Sequence, residues 1–170
     1  MSTLASEIKA SINWLFQEPL ALTTVGDASQ LSYDDQLANG AAADQADTIW
    51  SDQRTVAAAA NDDLDLTNLT HTLFGSTLAI DLASVKAIFI VNTSTTSGDR
   101  LRLDSSVANA CTAPFGSSAT SLVEIGADSA LLLSSKKDGW TVDSSHKILR
   151  VANPSADSIT YSIVILGTSS

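Results

Sequence analysis

Short apolar runs separated by turn residues constrain this chain more than any other feature. From residue 85 to residue 166 the turn signals recur at intervals of about 10 to 18 residues, a rhythm typical of antiparallel sandwiches and jelly rolls. Arg100–Asp104 alternates strictly and so places Leu101 and Leu103 on one face of a strand. No helical pattern of useful length interrupts this stretch, which argues against βαβ units. We therefore predict an all-β fold with an antiparallel, jelly-roll-like β-sandwich as its body.

The apolar and alternating runs mark the individual strands of this body. The predicted strands are residues 64–66, 85–91, 100–104, 121–125, 130–133, 140–142, 147–151 and 158–166. The last of these is apolar on both sides, which predicts a central position in a sheet or a place at a subunit interface.

Composition limits the classes of function. The chain has 170 residues and a mass of 17.7 kDa, which is enough for one domain with a sizeable core. Hydrophobic residues make up 44% of it, too many for wholesale disorder. There are 9 basic residues against 19 acidic ones, so the clustered lysines and arginines of an electrostatically driven nucleic-acid binder are missing. We expect no nucleic-acid partner.

The acidic residues are concentrated in the first part of the chain. Residues 1–66 hold 11 Asp or Glu against only Lys9 and Arg54, a net charge of −9, while the remainder has a net charge of −1. Such a shift is typical of a domain boundary. We predict an N-terminal helix and acidic arm over residues 1–62 and a β-sandwich domain over residues 63–170.

Four apolar residues near the start of the chain recur at helical spacing, and they predict an N-terminal α-helix that ends before Pro19. These residues are Leu4, Ile8, Ile12 and Leu15. Trp14 and Phe16 widen the apolar face beyond what a short isolated helix can hide, so the helix must dock. Its own domain and a neighbouring subunit both remain open as the docking site.

Residues 20–62 have a weak pattern, rich in alanine and aspartate. One interpretation is an extended arm that wraps a partner and uses Trp50 as its aromatic anchor. The other is a loop-rich layer over the body. The predicted partner-binding residues are thus Trp50 together with Leu4, Ile8, Ile12, Trp14, Leu15 and Phe16.

The cysteine content and the apolar runs bear on the compartment. The single cysteine, Cys111, excludes a disulfide within the chain and is expected to be a buried, inert thiol. Residues 1–9 lack the basic cluster and apolar run of a signal peptide, and no run reaches the length of a membrane span. We expect synthesis in a reducing cytoplasm and no membrane partner.

The sequence offers little catalytic or metal chemistry. His71 and His146 stand outside any catalytic motif, no phosphate-binding glycine loop occurs, and we predict a non-enzymatic protein without a cofactor. The cluster Asn61–Asp65 supplies oxygen ligands of the kind calcium prefers, but it lacks the glycine and distal glutamate of an EF-hand. A solvated turn and a calcium site are both open there.

Several segments together resemble small β-sandwich virion proteins of tailed bacteriophages, of the head-decoration, fibre or spike type. These are residues 59–66, Leu73-Phe74-Gly75, residues 85–92, residues 138–142 and residues 161–167. The resemblance implies a structural role in a symmetric homo-oligomer, expected to be a trimer, located in the virion after synthesis in the host cytoplasm. The partners it implies are further copies of the chain and the major capsid or other virion proteins.

Two functions follow from this resemblance. The first is a capsid decoration (cement) protein that stabilises a phage head. The alternative is a fibre or spike adhesin that binds a host-surface glycan, for which Trp140 and Tyr161 are the available aromatic residues in the body. A hydrolase dependent on His71 or His146 is a distant third.

Overall fold

The computed structural model describes residues 3–73, 76–116 and 121–169. Within these residues all the regular elements are strands, which confirms the all-β prediction. The strands are β1 (Ser6–Pro19), β2 (Thr24–Leu37), β3 (Thr48–Val56), β4 (Asn61–Asp65), β5 (Leu69–Leu73), β6 (Ser76–Ile80), β7 (Leu82–Asn92), β8 (Arg100–Asp104), β9 (Leu122–Gly126), β10 (Ser129–Ser134), β11 (Trp140–Thr141), β12 (Ile148–Ala152) and β13 (Ile159–Ser169). Phe74 and Gly75, part of the resemblance noted above, lie outside the described residues.

Two antiparallel sheets form the body of the protein, residues 48–169. The five-stranded sheet has the order β10-β7-β13-β3, with β11 also paired to β7, and the four-stranded sheet has the order β4-β12-β8-β9. Strands β5 and β6 form a separate short hairpin. The last strand, β13, lies between β7 and β3, which confirms its predicted central position.

The two sheets share one hydrophobic core. Alternate residues of β13, among them Ile163 and Ile165, are buried together with Ile88 of β7. The four-stranded sheet contributes Leu101 and Leu103, the pair that strict alternation places on one face of β8. The alternating pattern therefore predicted the inward side of these strands correctly because side chains in a strand point to opposite faces in turn.

The predicted N-terminal helix is wrong. Residues 6–19 form β1, which pairs along its whole length with β2 from Ser6↔Leu37 to Pro19↔Thr24. A spacing of four residues, as between Ile8 and Ile12, fits the two-residue period of a strand as well as it fits a helix. The competing signal was the alternation Ile8, Ala10, Ile12, Trp14, Phe16, which only a strand gathers on one face.

The compositional boundary at residue 62 does not follow the sheets. Strand β3, within the predicted arm, pairs with β13 from Thr48↔Gly167 to Val56↔Ile159 and is a full member of the five-stranded sheet. Strand β4, which starts at Asn61, pairs with β12 of the four-stranded sheet. Like the β5–β6 hairpin, the hairpin of β1 and β2 belongs to neither sheet. It covers residues 6–37, and we call it the ribbon.

Candidate docking surface

The ribbon is strongly two-sided. Cross-strand pairs such as Ile12↔Leu31 and Ala10↔Tyr33 bring apolar residues of both strands onto one side. We call this side the apolar face; its apolar members are Ile8, Ala10, Ile12, Trp14, Phe16, Val25, Leu31, Tyr33 and Leu37, and the same register places Ser6, Glu18, Asp27, Ser29 and Asp35 between them. The reverse face carries mainly polar residues: Glu7, Lys9, Ser11, Asn13, Gln17, Gln30, Ser32, Asp34 and Gln36, with Leu15 among them.

Only the base of the ribbon is packed against the body. Ile8 and Leu37 are 5% and 3% exposed and form a small second core with Ala46, Ala87 and Leu166. Ala87 and Leu166 belong to β7 and β13, so the apolar face at its base covers the outer side of the five-stranded sheet. The half-buried side chains of Leu4 and Leu132 extend this contact.

Polar contacts fix the base in place. The Lys136 ammonium of the body binds the Asp35 carboxylate of β2 and lies 3.8 Å from Asp44. The hydrogen bond from Lys136, opposed by desolvation, lowers the pKa of Asp35 below its usual value. The Leu4 N–H donates to Asn39 Oδ1 at 2.8 Å. The base is therefore held by charge and hydrogen bonds as well as by apolar packing.

Beyond the base, the apolar face is exposed. Ile12, Phe16 and Leu31 are 69%, 67% and 70% exposed, and Trp14 and Val25 are exposed as well. The Trp14 Nε1–H donates to Asp27 Oδ2 at 3.2 Å, which leaves the ring on the surface. A two-stranded hairpin is marginal in water, and a contiguous apolar surface on a monomer usually marks an interaction site. The exposed apolar face is the strongest candidate site in the described residues.

A second apolar surface lies next to it on the outer side of the five-stranded sheet. Ile49 and Phe89 are 46% and 42% exposed, and Leu132 and Val164 are half-buried beside them. Together with residues 5–9 of the ribbon they line an open groove of about 400 Å³, which we call the groove. The groove adjoins the ribbon base, because Ile8, Ala87 and Leu166 contribute to both.

The structure divides the residues predicted to bind a partner. Ile12, Trp14 and Phe16 are brought together on the exposed apolar face, whereas Leu15 lies on the reverse face. Ile8 and Leu4 pack on the chain's own body. The prediction missed β2, whose alternation of Leu31, Ser32 and Tyr33 was the available signal, and it missed the groove.

Trp50 is not available as a partner anchor in this fold. Its side chain is 2% exposed in the main core, and its Nε1–H donates to Thr70 O at 2.9 Å. The arm interpretation of this residue is therefore wrong, since β3 places Trp50 and Val56 in the main core.

The carboxylates of Asn61–Asp65 are each engaged by a cation of the body. Asp62 accepts from Arg54 Nε at 2.6 Å, Asp63 from Arg150 Nε at 2.7 Å, and Asp65 from Lys147 Nζ at 2.6 Å. Alternation along β4 places Asp62 on one face and Asp63 and Asp65 on the other, so the three carboxylates do not lie on one side of the strand. In the described part of the chain, no three His, Cys, Asp or Glu side chains are grouped to hold a metal ion.

We expect calcium to leave the protein unchanged because each carboxylate already has a cationic partner. The melting temperature in a millimolar excess of Ca²⁺ should equal that in EDTA. A rise in the melting temperature with Ca²⁺ that is abolished by Asp63→Asn would contradict this expectation and restore a calcium site at β4.

The remaining candidate groups are placed as follows. The Cys111 thiol is buried as predicted, and desolvation raises its pKa to about 11. The exposed His146 Nδ1 lies 3.0 Å from Asp143 Oδ1. Trp140 is half-buried against the core and Tyr161 is fully buried, so neither offers the exposed ring on which a sugar stacks.

Comparisons of the chain with protein-family models, with curated proteins and with solved structures found no match. Among the described residues, no helix is long and apolar enough to cross a membrane.

Proposed function

We propose that this chain is a non-enzymatic structural protein of a phage virion, a capsid decoration protein whose ribbon docks on neighbouring subunits of the head. The observation that carries the proposal is the exposed apolar face, a row of large side chains extending from a hairpin that is anchored only at its base. A protein that works by packing against neighbours needs such a surface and needs no catalytic group.

The body fits this role as a rigid platform. Two antiparallel sheets around one core are consistent with the jelly-roll-like sandwich implied by the resemblance to tailed-phage virion proteins. Lys136 and the buried pair Ile8 and Leu37 hold the ribbon base on that platform, so the ribbon is presented in a defined direction. Decoration is favoured over glycan adhesion because Trp140 and Tyr161, the aromatic residues considered for sugar stacking, are not exposed, whereas the exposed Trp14 and Phe16 lie on the ribbon beside Ile12 and Leu31.

Burial of the apolar face supplies the energy of assembly. Each square ångström of apolar surface removed from water contributes about 25 cal/mol before the cost of association. Repeated over many copies on a shell, contacts of this kind stabilise the joints between capsid subunits.

A ribbon-shortened chain tests the proposal. Residues 11–32 are replaced by Asn-Gly, which joins the cross-strand partners Ala10 and Tyr33 by a two-residue turn and keeps Ile8, Leu37 and the Asp35–Lys136 pair. We expect this chain to fold and melt like the full chain but to be absent from particles purified from infected cells. Detection is by antibody against the body.

The matched control is Leu15→Ser, which changes an exposed apolar residue of the reverse face and should enter particles normally. Undiminished incorporation of the ribbon-shortened chain would refute docking through the ribbon. Absence of the full chain from every particle would refute a virion function.

A further inference from the structure

We propose that the apolar face of the ribbon is covered by the groove of a second copy of this chain. This inference rests on the proposed function and names the first neighbour that the ribbon contacts. The contact is expected to close into a symmetric oligomer in which every ribbon fills the groove of the next copy.

The ribbon base already shows that the two surfaces fit each other. Within one chain, Ile8 and Leu37 of the apolar face pack on Ala87 and Leu166, which form the outer side of β7 and β13. The groove continues the same outer side through Phe89 and Val164. The contact between copies is therefore an extension of an interface that the fold has already made.

The rest of the apolar face cannot reach this groove in its own chain. A strand rises about 3.4 Å per residue, which puts Ile12 roughly 14 Å and Phe16 roughly 27 Å beyond Ile8 along the ribbon. Continuous pairing from Ser6↔Leu37 to Pro19↔Thr24 leaves no break at which the ribbon can fold back. One molecule thus has an apolar ribbon without a partner and an apolar groove without an occupant.

The surroundings of the groove suit an apolar occupant. The register places Ser51 beside Val164 and Gln53 beside Ser162 on the outer side of the sheet, so uncharged residues adjoin the groove. Glu7 and Lys9, at its ribbon side, pair with each other at 2.9 Å. The groove therefore presents no unpaired charge to an incoming Ile12 or Phe16. On the ribbon side, the Asp27 carboxylate opposite Phe16 accepts a hydrogen bond from Trp14 Nε1.

The proposed contact joins two different surfaces, the ribbon of one copy and the groove of the next. Such a head-to-tail contact forms a ring when its rotation closes, and each copy then gives one ribbon and receives one. The resemblance to tailed-phage virion proteins implies a trimer as the order of this ring.

The test begins with the mass of the purified full chain, measured by light scattering after size exclusion. We expect a small multiple of 17.7 kDa for the wild type and for Leu15→Ser. The double variant Ile12→Ser/Phe16→Ser removes two apolar side chains of the face and should raise the dissociation constant about 100-fold or more. The ribbon-shortened chain should be monomeric, and circular dichroism checks that all variants are folded.

Mixing separates a ribbon–groove contact from a ribbon–ribbon contact. The groove variant Ile49→Ser/Phe89→Ser should be monomeric alone, as should Ile12→Ser/Phe16→Ser. Their mixture restores one intact ribbon opposite one intact groove and should give a 1:1 heterodimer. A mixture that stays monomeric would overturn the inference, as would a wild type that is monomeric at about 100 μM.

This result is distinguishable from the result for the virion proposal. A monomeric wild-type chain that still enters particles through its ribbon would overturn the second-copy inference and leave the proposed function intact. An oligomer formed through ribbon and groove that no particle contains would support the inference and refute the proposed function.

Discussion

Trp50→Ala is expected to lower the free energy of unfolding by about 3–5 kcal/mol, the usual cost of removing a buried tryptophan side chain. Trp50 is 2% exposed in the main core and donates a hydrogen bond from Nε1 to Thr70 O, so the variant leaves a cavity and an unsatisfied carbonyl. At this chain length the melting temperature should fall by roughly 10 °C. Thermal and urea unfolding at low protein concentration measure the change.

Trp14→Ala is the matched control because it removes the same side chain from the exposed ribbon. It should change the free energy of unfolding by less than about 0.5 kcal/mol while weakening assembly. The opposite pattern, with Trp50→Ala stable but impaired in assembly, would restore Trp50 as a partner anchor and contradict the placement of β3 in the core.

Asp62→Ala is expected to lower the free energy of unfolding by about 2–3 kcal/mol, because one carboxylate serves two neighbours. Asp62 Oδ2 accepts from Arg54 Nε at 2.6 Å and from the Tyr161 hydroxyl at 2.8 Å. Tyr161 is fully buried, and burial together with the Asp62 charge raises its pKa, so its hydroxyl stays protonated and loses its acceptor in the variant. The lost ion pair with Arg54 should add little to this loss of stability, because the Arg54 side chain is 36% exposed and still contacts Asp52 in the variant.

The neighbouring Asp63→Ala provides the control. Its partner Arg150 binds it in a similar two-bond geometry, but the Asp63 side chain is 37% exposed, so the expected loss is at most about 1 kcal/mol. A double variant with Tyr161→Phe should cost less than the sum of its single changes, since both remove the same hydrogen bond. Equal losses for Asp62→Ala and Asp63→Ala would contradict the account of this network.

The sequence predicted several strands of the body correctly because their apolar residues recur at every second position, a spacing that fits a strand and not a helix. In β8, Leu101 and Leu103 alternate with charged residues, and in β13 the buried Ile159, Ile163 and Ile165 fall at even spacing. The turn at Asp138-Gly139 could be predicted from the sequence because the backbone there favours glycine. Gly139 has a φ of +69°, and a Cβ there would lie 2.2 Å from Ser84 Oγ, so only glycine fits.

The ribbon was not predicted because the spacing of apolar residues in β1 fits both a helix and a strand, and the strand forms only by pairing with β2. Ile8 and Ile12 satisfy both a helical and a strand period, and the choice between them is made by hydrogen bonds to β2. The predicted helical stripe also included Leu15, three residues after Ile12, which the strand places on the reverse face. Only the cross-strand register, Ile12↔Leu31 above all, shows which side chains form one surface.

The acidic excess of residues 1–66 also has a tertiary explanation. Asp62 and Arg54 pair within this stretch, but Asp63, Asp65 and Asp35 find their cations in Arg150, Lys147 and Lys136 of the later chain. Three of the nine excess negative charges of residues 1–66 are thus paired with cations of the later chain. Part of the acidic excess therefore marks long-range ion pairs, which composition cannot reveal, and the candidate docking surface is the apolar face of the ribbon.

The most direct measurement of the central claim is electron cryo-microscopy of intact particles that carry this chain, at a resolution that shows side chains. The account predicts the two-sheet body on the outside of the head, with Ile12, Trp14 and Phe16 buried against neighbouring subunits. A chain absent from the particles, or one present with its apolar face in open solvent, would contradict it.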